Sequence, residues 1–119
     1  MALALDCNQF LTAPGPILDV RSPGEYERGH IPGAIRFPLF SDDERAQVGL
    51  CYKQHGRDEA VEVGLAIAGP KLGQFVTKAK ALASDRTVRL HCWRGGMRSG
   101  SMAWLLETAG FQVVTLAKG

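Results

Sequence analysis

Thr87-Val88-Arg89-Leu90-His91-Cys92-Trp93-Arg94-Gly95-Gly96-Met97-Arg98-Ser99 is the stretch from which the fold can be read. Thr87 to His91 is a short β-branched and aliphatic run, which reads as a buried strand. Gly95-Gly96 stops it, so Cys92 to Met97 reads as a loop. From Arg98 to Ala109 the apolar residues Met102, Leu105, Leu106 and Ala109 recur at helical spacing, and Gly110 supplies a C-terminal cap. Strand, glycine loop and helix in succession form the repeating half of an α/β fold. In an open parallel sheet, ligands gather outside the carboxyl ends of the strands. Cys92 lies at such an end.

Outward from that junction the alternation continues. Gln112 to Leu116 is a last strand. Upstream, Ile17-Leu18-Asp19-Val20 is an apolar strand bounded by Pro14-Gly15-Pro16 and by the turn residues Ser22-Pro23-Gly24. Ala34 to Phe37, between Pro32-Gly33 and Pro38, is another. Asp42-Asp43-Glu44 places acids at the positive end of a helix that runs to about Gln54 and stops at His55-Gly56. A second helix opens at Asp58-Glu59 and is broken at Gly69-Pro70, and a third spans Phe75 to Ala83. Strands alternating with helices predict a parallel sheet covered on both faces.

Composition bounds the function. The 119 residues suit one domain with one core. A formal net charge of +2 is too mild to argue for nucleic-acid binding by charge alone. Three cysteines, Cys7, Cys51 and Cys92, form neither a disulfide framework nor a metal-ligand pair, so we expect free thiols in a reducing, cytoplasmic setting and no metal or cofactor. The N-terminus lacks the charged and apolar regions of a signal peptide, and no apolar run is long enough to span a bilayer.

The chemistry concentrates on Cys92. Gly95 and Gly96 let backbone N–H groups turn inward as an anion nest. The helix from Arg98 adds its positive end, and Arg94 and Arg98 add full charges. Each effect favours thiolate over thiol, so the expected Cys92 pKa lies below the ordinary value of about 8.5. Trp93, Arg94, Gly95, Gly96, Met97 and Arg98 therefore make a loop that serves both a nucleophile and an anionic substrate. Taken singly, a cysteine at a strand end is a small hydrophobe, Gly-Gly is a turn, and two arginines are a solvated face. Their coincidence in one strand–loop–helix favours function.

His91-Cys92-Trp93-Arg94-Gly95-Gly96-Met97-Arg98-Ser99 resembles two cysteine-enzyme signatures, the rhodanese active-site loop and the HCx5R loop of cysteine phosphatases. Leu18-Asp19-Val20-Arg21-Ser22-Pro23-Gly24-Glu25-Tyr26-Glu27-Arg28-Gly29-His30-Ile31-Pro32-Gly33-Ala34-Ile35 looks like the rhodanese signature. Asp43 to Gly56 resembles a segment of the rhodanese domain of tRNA 2-selenouridine synthases, as does Cys92-x-Arg94-Gly95-Gly96-x-Arg98-Ser99. The resemblance runs from about Ile17 to the end of the chain. It implies a three-layer α/β domain with a mainly parallel five-stranded sheet. It also implies chalcogen transfer through a Cys92 persulfide or selenopersulfide, a donor such as selenophosphate or thiosulfate, and tRNA wobble 2-thiouridine as the target. That family carries a P-loop domain after the rhodanese domain. No GxxxxGK[ST] occurs here, so tRNA is expected to bind mainly through that further domain, carried on an adjoining segment or a separate polypeptide.

Other classes remain open at this point. A stand-alone thiosulfate sulfurtransferase would share the loop. A phosphatase would need a general acid beside it, for which Asp42, Asp43 and Asp85 are candidates. A docking module would keep the fold without the chemistry. Asp19 and Arg21 are read as loop-holding, Glu25 as the partner of a nearby arginine, and His30 as a backbone-bonding residue. His91, one residue before Cys92, points to the opposite face. Cys51 is a candidate to resolve a Cys92 persulfide, Cys7 a filler. Tyr52, Lys53 and Arg57 are read as a solvated edge that could meet tRNA or another domain.

Overall fold

The computed structural model describes residues 2–92 and 97–117. Its elements follow in the order β1 (Leu3–Leu5), α1 (Cys7–Thr12), β2 (Ile17–Asp19), α2 (Pro23–Arg28), β3 (Ile35–Arg36), α3 (Asp42–His55) and α4 (Arg57–Ala68), then a 3₁₀ turn (Gly69–Lys71), α5 (Leu72–Leu82), β4 (Thr87–His91), α6 (Met97–Thr108) and β5 (Gln112–Leu116). The sheet order is β1-β5-β4-β2-β3 and every neighbouring pair is parallel.

Strand periodicity sorts side chains onto two faces. Leu18 is in register with Leu90, and with Val20, Val88, Cys92 and Val113 they pack under Ala68 of α4, Phe75 and Ala79 of α5, and Met102, Ala103 and Leu106 of α6. On the other face Ile17 meets Phe10 of α1 and Tyr26 of α2, with Val114 and Leu116 beside them. Helices therefore cover both faces, the three-layer arrangement expected. The sheet is parallel throughout rather than mainly so.

Three elements go beyond the sequence reading. β1 and α1 are too short for a periodicity signal, although Asp6 and Gln9 cap α1 reciprocally: Gln9 N donates to Asp6 Oδ1 at 2.8 Å and Asp6 N to Gln9 Oε1 at 3.2 Å. Ser22-Pro23-Gly24, expected to be a turn, instead opens α2. Pro23 occupies its first turn, where no intrahelical N–H is needed, and Ser22 N and Oγ both donate to Glu25 Oε1, at 3.2 and 2.9 Å. The break expected at Gly69-Pro70 is a 3₁₀ turn that leads directly into α5, and Met97, expected in the loop, begins α6.

One glycine is required where chains cross. Gly15 has φ +96°, and a Cβ there would stand 2.4 Å from the Thr87 carbonyl oxygen. Arg89 fastens the same corner: its Nε donates to Gly15 O at 2.7 Å, and its Nη1 to the Phe10 and Leu11 carbonyls at 3.0 Å each. The chain thus enters β2 tight against β4, and the two strands end side by side.

Candidate active site

From β4 the chain goes through α6 to β5 on one side, and from β2 through α2 to β3 on the other. The carboxyl ends of β2 and β4 therefore flank the point where the strand order diverges, the usual ligand crevice of an open parallel sheet. Cys92 follows the last residue of β4 and is 2% exposed. Its thiol donates to Ser99 Oγ at 3.1 Å, and the Ser99 backbone N–H points at Sγ at 3.3 Å. Ser99 is the third residue of α6. Its N–H is one of the four at a helix start that lack a partner within the helix, so the sulfur occupies the positive end of α6.

Arg98, expected as an anion clamp, is only 11% exposed and is paired with Glu25. Its Nη1 donates to Oε1 at 2.6 Å and its Nη2 to Oε2 at 3.3 Å. The expectation that Glu25 pairs with an arginine is met, and the partner is a residue of the loop-following helix. Burial works to raise the Glu25 pKa, but the Arg98 hydrogen bonds and charge outweigh it, with help from Ser22, and hold it down at about 2. Arg45 of α3 approaches the same carboxylate, with Nε 3.7 Å from Oε1.

Behind the crevice lies a buried ion pair. Arg21 Nε donates to Asp19 Oδ1 at 3.0 Å, its Nη2 to Oδ2 at 2.7 Å, and its Nη2 also to Gly29 O at 2.7 Å. This is the loop-holding role expected of both residues. Burial acts to raise the Asp19 pKa. His91, close by, and the Arg21 donors overcome it and hold this carboxyl well below the usual range. Asp19 is in turn the main reason the Arg21 pKa is raised, with smaller contributions from Glu25 and Cys92. Arg21 is therefore within electrostatic reach of the sulfur. His91 Nδ1 stands 3.7 Å from Asp19 Oδ2, too far for a hydrogen bond. The ring lies on the face of the sheet opposite Cys92, as strand alternation requires.

The remaining candidates separate. Met97 starts α6 with its side chain half exposed. Trp93, Arg94, Gly95 and Gly96, expected to complete the cradle, lie outside the described residues. His30 Nδ1 is 2.9 Å from Tyr26 O and its ring stacks on Tyr26 at 3.7 Å, a backbone-bonded role as expected. Of the three acids a phosphatase might use, Asp42 Oδ1 accepts from Gly24 N at 2.8 Å. Asp85 Oδ1 accepts from Thr87 N, at the end of β4 remote from Cys92. Asp43 is exposed in the first turn of α3. Cys51 is half-buried on α3, and Cys7 is exposed. Tyr52, Lys53 and Arg57 are exposed. No group of three metal-ligating side chains exists among the described residues, and no described helix is long and apolar enough to cross a membrane.

Ser99 and Arg45 stand at the site without a role that the sequence alone assigns them. Ser99, seven residues after Cys92, could have been singled out as the third residue of a helix whose start faces the sulfur. Nothing in the sequence signals where Arg45 points.

The family model of the rhodanese-like domain matches residues 4–119, which include the cysteine, the loop and the strand-end ion pair. The chain belongs to the rhodanese-like domain family. A tRNA 2-selenouridine synthase of Bordetella bronchiseptica is 43% identical over 108 residues, which are 88% of this chain and 29% of that protein. One from Salmonella enteritidis is 44% identical over 108 residues, 88% of this chain and 30% of its own length. This rhodanese-like chain thus spans about three-tenths of the relatives it matches, and over that span it is their homologue. Among solved structures, the "N-terminal domain of putative ATP/GTP binding protein" from Clostridium difficile 630 is similar, with a TM-score of 0.87 at 38% identity, covering 95% of this chain and 89% of that one.

Proposed function

We propose that this rhodanese-like domain is the chalcogen-transfer unit of a tRNA 2-selenouridine synthase, acting in the cytoplasm on the sulfur-to-selenium exchange at wobble 2-thiouridine. The observation that carries the reading is the seat of Cys92: a sulfur outside the carboxyl end of a central strand, with the Ser99 N–H of a helix start and the Ser99 hydroxyl both on it. The relatives' name supports the tRNA target. With residues 4–119 matching one rhodanese-like domain that is about three-tenths of the relatives' length, tRNA binding falls mainly to the remaining seven-tenths of such proteins, where a P-loop domain is expected.

With thiosulfate the transfer balances simply. The Cys92 thiolate attacks the outer sulfur, a new S–S bond forms, and the old one breaks with its electron pair leaving on sulfite. The helix start and the loop N–H groups stabilise the sulfur anions, and Arg94 and Arg98 bind the donor oxyanion. With selenophosphate the same displacement at selenium leaves the electron pair on phosphite. A thiolate acceptor then attacks the outer atom of the Cys92 persulfide or selenopersulfide, and the pair of the broken bond returns to Cys92 as thiolate. The positions of Asp42 and Asp85, each already bonded to a backbone N–H, count against a phosphatase acid.

The test is intact-protein mass spectrometry after incubation with thiosulfate and, separately, selenophosphate. The wild type should gain one reducible sulfur or selenium atom, and Cys92→Ser should gain none while keeping its circular-dichroism spectrum. An adduct that survives in Cys92→Ser removes the nucleophile assignment. Absence of any adduct together with Cys92-dependent hydrolysis of an aryl phosphate transfers the protein to the phosphatase class.

A further inference from the structure

Arg45 belongs to none of the machinery described so far, yet α3 delivers it to the edge of the site. Its Nε stands 3.7 Å from Glu25 Oε1, the oxygen that already accepts from Arg98 Nη1 at 2.6 Å. That Nε–H is covered from solvent and has no hydrogen-bond partner. The guanidinium rests over Gly49, one turn further along α3, where a Cβ would come 3.2 Å from Nη1. A glycine is costly inside a helix, and here it leaves room for the arginine. A covered donor less than an ångström short of hydrogen-bond distance from a carboxylate is an interaction waiting to close.

The charges explain what would close it. Two guanidinium groups face one carboxylate. Arg98 now holds Glu25 through both oxygens; without it Oε1 would keep only the neutral Ser22 donors, and a partly buried carboxylate left without a counter-charge is disfavoured. Arg98 alone is therefore not free to turn toward a donor. We propose that Arg45 is a positioning residue that takes over Glu25 when Arg98 turns to the oxyanion of the donor. The inference rests on the reading of Arg98 as the anion clamp. Glu25 passes from Arg98 to Arg45, Arg98 passes to the incoming anion, and no proton moves. Every cation keeps an anion throughout. The exchange selects donors that present two oxygens to a planar guanidinium, as sulfonate and phosphate groups do, over neutral sulfur carriers.

Sulfate is a suitable probe, because it has the oxyanion face of such donors and no sulfur to transfer. It is titrated into the wild-type chain while the Nε–H resonances of Arg45 and Arg98 are followed by NMR. Both should shift with one midpoint, the Arg45 signal moving downfield as it gains its carboxylate. Arg45→Gln should weaken sulfate binding about tenfold, and Arg45→Lys should restore part of it. In a Glu25→Gln background the Arg45 substitution should have no further effect. A response from Arg98 alone, or an Arg45→Gln loss that persists in the Glu25→Gln background, overturns the exchange and leaves the clamp standing. An Arg98 that does not respond overturns the clamp itself, and the exchange with it.

Discussion

Among the described residues, Ser99 meets Cys92 Sγ twice. The Ser99 N–H donates to Sγ and the thiol donates to Ser99 Oγ; once Cys92 is a thiolate the hydroxyl turns to donate, and a hydrogen bond to a charged sulfur contributes about 1.5–3 kcal/mol. Ser99→Ala removes one of the two and keeps the other, and alanine suits a helix. Persulfide formation from thiosulfate should therefore slow at least about tenfold with little change in the urea midpoint; an unchanged rate would show that the hydroxyl is idle. Glu25 gives a pH signature at the same scale. Its folded pKa is about 2 against an ordinary 4.5. A depressed carboxyl stabilises the fold fully above its unfolded pKa and loses that contribution as protons bind. Stability should thus fall as the pH drops from 4.5 toward 2, and Glu25→Gln should flatten that part of the profile, measured as unfolding free energy at a series of pH values. Equal slopes for the two proteins would mean that other groups carry the acid sensitivity.

At the scale of elements, α3 is unusual. None of its side chains is fully buried, and Val48 meets the core only partly buried. Polar links at its first turns add to that packing. Ser41 N donates to Glu44 Oε1 at 2.8 Å and Glu44 N to Ser41 Oγ at 3.2 Å, Lys71 pairs with Glu44, and Asp42 caps Gly24. Ser41→Ala should cost about 1 kcal/mol in urea unfolding, and it should weaken oxyanion binding as well, because the same turn carries Arg45. A stability loss without any change in binding would separate α3 from the site. The α2 start was legible in part: Ser22, Pro23 and Glu25 stand at the spacing of a capping box, yet Pro23-Gly24 equally signals a turn. In the structure the Ser22–Glu25 bonds form, and Gly24 N–H meets Asp42, eighteen residues away, a contact the local sequence does not carry.

For the whole molecule, the radius of gyration of 13.7 Å matches the roughly 13.5 Å of a compact domain of this length. One core on each face of one sheet predicts that Trp fluorescence and far-ultraviolet circular dichroism report a single coincident urea transition. Distinct midpoints would divide the chain into separately folding parts. Gly15→Ala tests the crossing that brings β2 against β4. Positive φ and a Cβ 2.4 Å from Thr87 O should together cost about 2–4 kcal/mol, and that transition should move to lower urea; an unmoved midpoint would mean the corner yields. By itself the sequence determined the alternation of strands and helices, the strand-end place of Cys92 and the family resemblance, because periodicity, glycine turns and motif spacing are local and survive without a fold. It also put His91 on the face away from Cys92, since strand alternation follows from residue parity alone. Only the tertiary structure decided that Arg98 is tied to Glu25, that Arg45 stands behind it, and that Asp19 and Arg21 lock the adjoining strand end. Those contacts join residues from α2, α3, α6 and the end of β2, and which charge meets which depends on how the parallel sheet brings its strand ends together.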